Sequence, residues 1–550
     1  MKLIYSSLNK KNKRLLVGGI VLAVLLLAGI VEQQFFEKNE VIIGERAETR
    51  IASFPWHDSL HKVMLVHDPT QAFIVRRELI RKAKSSIDMC TFLWRDDDTG
   101  IALMQELITA AQRGVRVRLL GDGIFFLRKP PKIAALAQAH PWLQLRLYNP
   151  LDNMVASLGP SGLDDLILDF SDINQRLHMK ILTIDGEQSL VGGRNVGNEY
   201  FGLGKKRNFI DRDILLKGPA VGDINTAFDL FWDNFRTKKA QQLKDAAAST
   251  PDAEWLQQSI QLTFPEKKEN SEAWKEVENV SVWYDRPGLV GDEDDYNPRL
   301  LADRLTALVG AAMDSVLIET PYLILSERTR ALFKELRKQK PKMPIRFHTN
   351  SLASTDNWQT YAAFQAQLRS LLEELQLLIY LKKPDSLKDR SGPTGTSTVH
   401  SKTVIVDNRK TAIGSFNWDP RSGIWNAEIM VVIDDTSFAD ALTQYIEPLS
   451  SPSASWVVAK LQQPIALAQI DAIGSTINST ISEVVGVNIW PLTNAACFEQ
   501  TGEKVVSPYD PDFYKNYQSV GSYPEVSIAD QKRILVNLLE PIGSSLAPTL

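Results

Sequence analysis

Two matching segments in one polypeptide constrain this chain more than any other feature: RLHMKILTIDGEQSLVGGRN and, far downstream, TVHSKTVIVDNRKTAIGSFN. The first carries His178-x-Lys180, Asp185, Gly192-Gly193 and Asn195; the second carries His400-x-Lys402, Asp407, Gly414-Ser415 and Asn417 at the same spacing. The chain holds only seven histidines, so two of them in register mark a duplication rather than a coincidence. The distance between copies is too long for a small solenoid repeat and predicts a duplicated domain.

The flanking pattern supports this. Ahead of the first copy, helical periodicity over Ala72–Ala83 and Gly100–Arg113 alternates with β-branched runs at Ser86–Trp94, Val115–Gly121 and Leu143–Tyr148. Ahead of the second, helices are expected at Pro298–Ala312, Glu327–Lys338 and Trp358–Leu375, with strands at Ser315–Leu323, Ile345–Thr349 and Leu377–Leu381. Such alternation predicts an α/β sheet in each half. The expected division is an anchor and juxtamembrane segment at 1–45, a first domain at 46–235, a charged helical connector at 236–280, a second domain at 281–450 and an extension at 451–550. Within that extension, Ile528–Ile542 puts five apolar residues on one helical face, which suits docking on the core, with a membrane-surface helix as the alternative.

Residues two apart in an extended chain share a face, so His178 projects with Lys180 and His400 with Lys402. Asp185-Gly186 and Asp407-Asn408 read as hairpin-turn pairs. The small residues Gly193 and Ser415 admit a polar substrate near the backbone, and Asn195 and Asn417 follow as hydrogen-bond donors. Two imidazoles, two ammonium groups and two carboxamides converging on one point suit a phosphodiester. Lysines favour the more anionic transition state; one histidine attacks phosphorus and the other protonates the leaving oxygen. No metal or other cofactor is expected, since each motif offers one histidine and a lysine that repels cations.

These motifs resemble the HKD signature of the phospholipase D superfamily, over roughly residues 60–450. The phrases RGVRVRLLGD, LVGGRNVGNEYF, DRDILLKGPAV, TNSLASTD and NAEIMVVID are similar to those of bacterial cardiolipin synthases, especially the class C type. The resemblance implies two phospholipase D-type α/β domains related by a pseudo-twofold axis, with His178, Lys180, Asp185, His400, Lys402 and Asp407 as the motif residues. It implies transfer of a phosphatidyl group to phosphatidylglycerol, from phosphatidylglycerol or phosphatidylethanolamine, through a phosphatidyl-histidine. It also makes Asp213 and Glu428, at the heads of DILL and EIMV, candidates to orient the histidines, and gives Asp185 and Asp407 structural duty. The same motifs serve hydrolases that release phosphatidic acid, and nucleic-acid phosphodiesterases. A non-catalytic membrane scaffold would show degenerate motifs, and both here are intact.

A net charge of -4 and a pI near 6.1 speak against a nucleic-acid partner. Lys10, Lys11, Lys13 and Arg14 precede an uncharged apolar run from Leu15 to Val31, which as a helix spans ~25 Å, near the lower limit for a bilayer core. With basic residues on the near side only, the expectation is a single-pass anchor in a bacterial inner membrane, with the domains outside the cytoplasm. Trp94, Trp418 and Trp425 read first as core residues. The loop GIFFLRKPPK, with Phe125 and Phe126 beside Arg128, Lys129 and Lys132, suits either a lipid-facing lip or a buried helix start. Cys90 and Cys497 show no metal-type spacing.

Overall fold

The computed structural model describes residues 54–527 apart from 128, 151–173, 263–272, 289–298, 385–395 and 463–494, together with residues 530 and 536. The apolar run at 15–31 lies outside the described residues, as do all but two positions of 528–542. Among the described residues no helix is long and apolar enough to cross a membrane.

The first half runs β1 (His61–Val66), α1 (Pro69–Lys82), β2 (Ser86–Thr91), α2 (Asp98–Gln112), β3 (Arg116–Asp122), α3 (Pro130–Ala137) and β4 (Leu143–Tyr148). A two-residue arm β5 (Arg176–Leu177) leads to the hairpin β6 (Ile181–Ile184) and β7 (Gln188–Gly192), then β8 (Arg207–Ile210), β9 (Asp213–Lys217) and α4 (Val221–Trp232). Edge strands β10 (Thr237–Lys239) and β11 (Lys275–Val277) follow. The second half begins with β12 (Val280–Tyr284), α5 (Leu300–Gly310), β13 (Val316–Glu319), α6 (Glu327–Gln339), β14 (Ile345–Asn350), α7 (Trp358–Glu373) and β15 (Leu378–Lys382). Arm β16 (Thr396–Val399) precedes hairpin β17 (Thr403–Val406) and β18 (Lys410–Gly414), then α8 (Pro420–Ile424), β19 (Asn426–Ala427), β20 (Ile429–Asp434) and α9 (Thr436–Ile446). Three more strands, β21 (Ser455–Lys460), β22 (Ala495–Gln500) and β23 (Tyr517–Gly521), extend the second sheet and give the C-terminal extension its place.

Helix starts are written locally. Asp68 accepts a hydrogen bond from the Gln71 amide and precedes Pro69 at the head of α1, Asp97 caps α2, and Asn357 caps α7. Seven strands of the first sheet run β4-β3-β2-β6-β7-β9-β1, and seven of the second run β15-β14-β13-β17-β18-β20-β12. Every pairing matches in sense: β2, β3 and β4 are mutually parallel, as are β13, β14 and β15, while the hairpins insert antiparallel. Side chains alternate across each strand. Leu182, Ile184, Val404 and Val406 face outer cores under α1–α3 and α5–α7. Ile181, Val191, Ile405 and Ile413 join α4 and α9 in one core shared by both halves.

Two expectations change. The strands expected to reach Trp94 and Leu323 stop at Thr91 and Glu319. There the hydroxyls of Thr91 and Thr320 donate to the carbonyls of Leu93 and Tyr322, turning the chain off the sheet. The charged connector is no single helix: it forms β10 and short helical turns that bury Ala240, Leu243, Ala246 and Trp255 in the first core. Its apolar residues, spaced among the charges, dock it. Cys90 and Cys497 are free and buried.

Candidate active site

The two histidines arrive on arms that cross between the halves. β5 pairs in parallel with β19, placing the His178 amide on the Ala427 carbonyl at 3.0 Å. β16 pairs in parallel with β8, placing the His400 amide on the Ile210 carbonyl at 2.8 Å. Each arm is also held by the end of its own third strand: Asp122 accepts from the Leu177 amide at 3.1 Å, and Asn350 from the Val399 amide at 2.8 Å. Sequence reading passed over Asp122 and Asn350, although both occupy the last position of the third strand in their half.

Crossing the arms gives each imidazole a carboxylate from the opposite half. His178 Nδ1 lies 2.8 Å from both Glu428 oxygens, and His400 Nδ1 lies 2.6 Å from Asp211 Oδ2. A carboxylate at Nδ1 fixes the proton there and leaves Nε2 for chemistry. Glu428 thus stands where the sequence reading put an orienting acid, but Asp213 does not. Asp213 is buried against Arg76 at 3.0 Å and Arg194 at 2.9 Å, and its place is taken by Asp211. The sheet register explains the correction. Gly192 pairs with Asp213 and Gly414 with Met430, so Glu428 corresponds to Asp211, two residues earlier than DILL suggests. Positions two apart share a strand face, which made the slip easy.

Lys180 donates to the His178 carbonyl at 2.5 Å, and Lys402 to the His400 carbonyl, with its ammonium also 2.9 Å from His400 Nδ1. All four side chains are buried. Burial, with the ammonium groups of Lys180 and Lys402, holds His178 well below its ordinary value. Burial and Lys402 lower His400, against the opposing pull of Asp211. Burial also brings Lys180 down to about 7 and Lys402 to about 8. The two carboxylates part ways. Burial would raise Asp211, but His400 and Lys402 hold it at about 2. Burial pushes Glu428 up to about 7 against Lys180, Ser415 and Ser422.

The remaining candidates divide. Ser415 donates its hydroxyl to Glu428, beside a second donor, Ser422, at 2.7 Å. Gly193 leaves room for Asp211, since a Cβ there would come within 2.2 Å of Oδ1. Asn195 is spent on its own half: it accepts from the Leu93 amide and donates to the Tyr200 hydroxyl at 3.0 Å. Asn417, by contrast, keeps a buried side-chain oxygen without a hydrogen-bond partner among the described residues. Asp185 and Asp407 lie in the turns with φ of 55° and 54°, and each accepts three consecutive backbone amides, from Lys84–Ser86 and from Met313–Ser315. They fasten the hairpins rather than touch the imidazoles.

Aromatic rings of the first half line both histidines. Phe92 meets His178 edge-on at 4.8 Å, and Tyr200 and Phe209 flank His400 at 5.3 and 4.8 Å. The expected lip is split. Phe125 packs on Phe92 at 4.4 Å, whereas Phe126 is buried on Trp94, and Lys129 and Lys132 both pair with Asp96. Arg128 lies outside the described residues. Trp94, Trp418 and Trp425 are buried.

Two imidazoles, each with a carboxylate at Nδ1, and two lysines meet in one buried centre, an arrangement able to carry out displacement at a phosphodiester. Comparison with known proteins agrees. The family model described as "Cardiolipin synthase, PLD-like domain" matches residues 77–232 and 305–449. Cardiolipin synthase C of Escherichia coli K12 is 32% identical over 415 residues, covering 70% of this chain and 84% of that protein. Cardiolipin synthase 2 of a Staphylococcus epidermidis strain is 25% identical over 66% of this chain and 63% of its own length. The crystal structure of a phosphatidylserine synthase from Haemophilus influenzae covers 80% of this chain and 98% of its own, at 17% identity and a TM-score of 0.52, a likeness of fold.

Proposed function

The chain belongs to the cardiolipin synthase family of phospholipase D-like proteins, and from that premise we propose that it is a phosphatidyltransferase joining two phospholipids into cardiolipin. The observation that carries this reading is the crossed pairing of His178 with Glu428 and His400 with Asp211 in one buried centre.

His178 Nε2 attacks the donor phosphorus, the bond to the headgroup oxygen breaks, and His400 gives that oxygen its proton. The glycerol hydroxyl of phosphatidylglycerol then returns a proton to His400 as its oxygen attacks phosphorus and the P–N bond breaks. Roles are assigned by the carboxylates. Ionised Asp211 opposes the lowering of His400, whereas burial and the two ammonium groups hold His178 well down, so His178 is the one that keeps its lone pair. Lys180 and Lys402 face the non-bridging oxygens. Phosphatidylglycerol or phosphatidylethanolamine serves as donor. The two phospholipase D-type domains act as a pseudo-twofold pair around one centre, and residues 15–31 anchor them at the outer face of a bacterial cytoplasmic membrane, as the preceding basic cluster supports.

The test is lipid mass spectrometry on purified enzyme in detergent with labelled phosphatidylglycerol, with and without phosphatidylethanolamine. Cardiolipin is the expected product, lost in His178→Ala and His400→Ala, and its dependence on phosphatidylethanolamine names the donor. Phosphatidic acid without cardiolipin would make the protein a hydrolase instead.

A further inference from the structure

An apolar pocket opens in the second half where the first half is solid. It lies between α5, α8 and the loop from β13 to α6, a mostly apolar depression of about 50 Å³ that is open to solvent. The two halves share a backbone, so their side chains can be matched position by position. Two pairs of contacts set the register: Asp185 and Asp407 accept from Ser86 and Ser315, and Trp94 and Leu323 bridge to Val196 and Trp418.

In that register Phe73 corresponds to Ala302 and Phe201 to Gly423. In the first half the two phenylalanine rings meet at 5.4 Å and are fully buried. In the second half Ala302 and Gly423 both line the pocket, and a Cβ added to Gly423 would meet nothing within 4 Å. The same substitution of character extends further. Arg76, Arg194 and the Asp213 that ties them in the first half correspond to Leu305, Phe416 and Met430. A charged, filled block has become an apolar, empty one.

The pocket wall abuts the groups that hold the catalytic centre: Asp419 accepts from the Ser422 amide, and Ser422 donates to Glu428. β13 ends where Glu319 pairs with Thr403, just after Lys402, and α5 begins at Leu300 beside Asp285, which accepts from the Leu301 and Glu428 amides. Trp418 and Asp419 on its wall directly follow Asn417. One face of α8 gives Gly423 and Ile424 to the pocket, while Ser422 on the same helix donates to Glu428, which holds His178.

We infer that this pocket is an acyl-chain subsite, which receives one hydrocarbon chain of the phospholipid whose phosphate lies between the histidines. The inference rests on the reading that the substrates are phospholipids. A chain attached to a phosphate at His178 and His400 needs an apolar cavity opening beside them, and the second half leaves this one by removing the groups that fill its twin.

Restoring the filler tests it. Gly423→Phe and Ala302→Phe are assayed with dioleoyl and dihexanoyl phosphatidylglycerol, alongside thermal unfolding. Each buried methylene adds roughly fourfold to an equilibrium constant, so the ratio of kcat/KM for the long-chain over the short-chain lipid is expected to fall about tenfold or more. An unchanged ratio in folded variants overturns the inference. Transfer by the unaltered enzyme from the short-chain lipid reads the proposed reaction by itself, so failure there is separate. Should both variants unfold, phosphatidylglycerol with a photoreactive acyl chain is cross-linked to the unaltered enzyme. Label on peptides covering 302–306, 324–329 or 416–424 supports the subsite, and label confined elsewhere overturns it.

Discussion

The two halves of this molecule agree in backbone and differ in what the backbone carries. Turn aspartates, strand-end acceptors and crossed arms recur pairwise, with Asp185 beside Asp407, Asp122 beside Asn350, and β5–β19 beside β16–β8. The acids do not recur in kind. Asp211 sits against Gly193 and is held at about 2, whereas Glu428 receives hydroxyls from Ser415 and Ser422 and is pushed up to about 7. Duplication supplied two equivalent positions, and the side chains around each imidazole gave them separate duties.

The largest effects should come from replacing the acids. In Glu428→Gln or Asp211→Asn the amide can donate to Nδ1, leaving the proton on Nε2 and disabling the histidine; a loss of ~10³- to 10⁴-fold in kcat is expected. The halves should then separate by step. Glu428→Gln slows formation of the phosphatidyl-enzyme with any donor. Asp211→Asn slows it with an alcohol leaving group but much less with nitrophenolate, which needs no proton. Equal losses for both leaving groups in both variants would erase the division of labour.

A smaller effect comes from exchanging the neighbours. The Ser415 hydroxyl stabilises ionised Glu428, so Ser415→Ala should raise that acid beyond about 7. The acidic limb of the pH–rate profile then moves to higher pH, with kcat/KM at neutrality down by roughly three- to tenfold. Gly193→Ser should instead displace Asp211, because its Cβ would meet Oδ1, and should act on the His400 step.

The smallest contrast is expected at the turns. Asp185→Ala and Asp407→Ala should each lower stability by about 1 kcal/mol, limited by solvent screening, and by similar amounts. Backbone amides hold both carboxyls below the ordinary range against the opposing effect of burial. Their contribution is therefore present above the unfolded pKa and lost as pH falls through the folded one. Melting curves of variant and unaltered protein should converge in acid.

The duplication, the sheets and the four His and Lys positions were legible because fixed spacing and alternation are local properties of a sequence. Asp211 was missed because Asp213 shares its face and its neighbours spell a similar phrase. The crossed arms were not legible at all: β5 is two residues long, and its partner β19 lies in the other half. The pocket required matching α1 to α5 in space, since Phe73 and Ala302 look like ordinary helix residues when read alone.

His178 meets Glu428 across 250 positions of chain. At a synthesis rate of ~5–20 residues per second, the first histidine waits on the order of 10 to 50 seconds for its acid. A growing chain thus holds His178 without its acid until Glu428, well into the second half, has been made. The crossed arms tie assembly of the first histidine's site to synthesis of the second half.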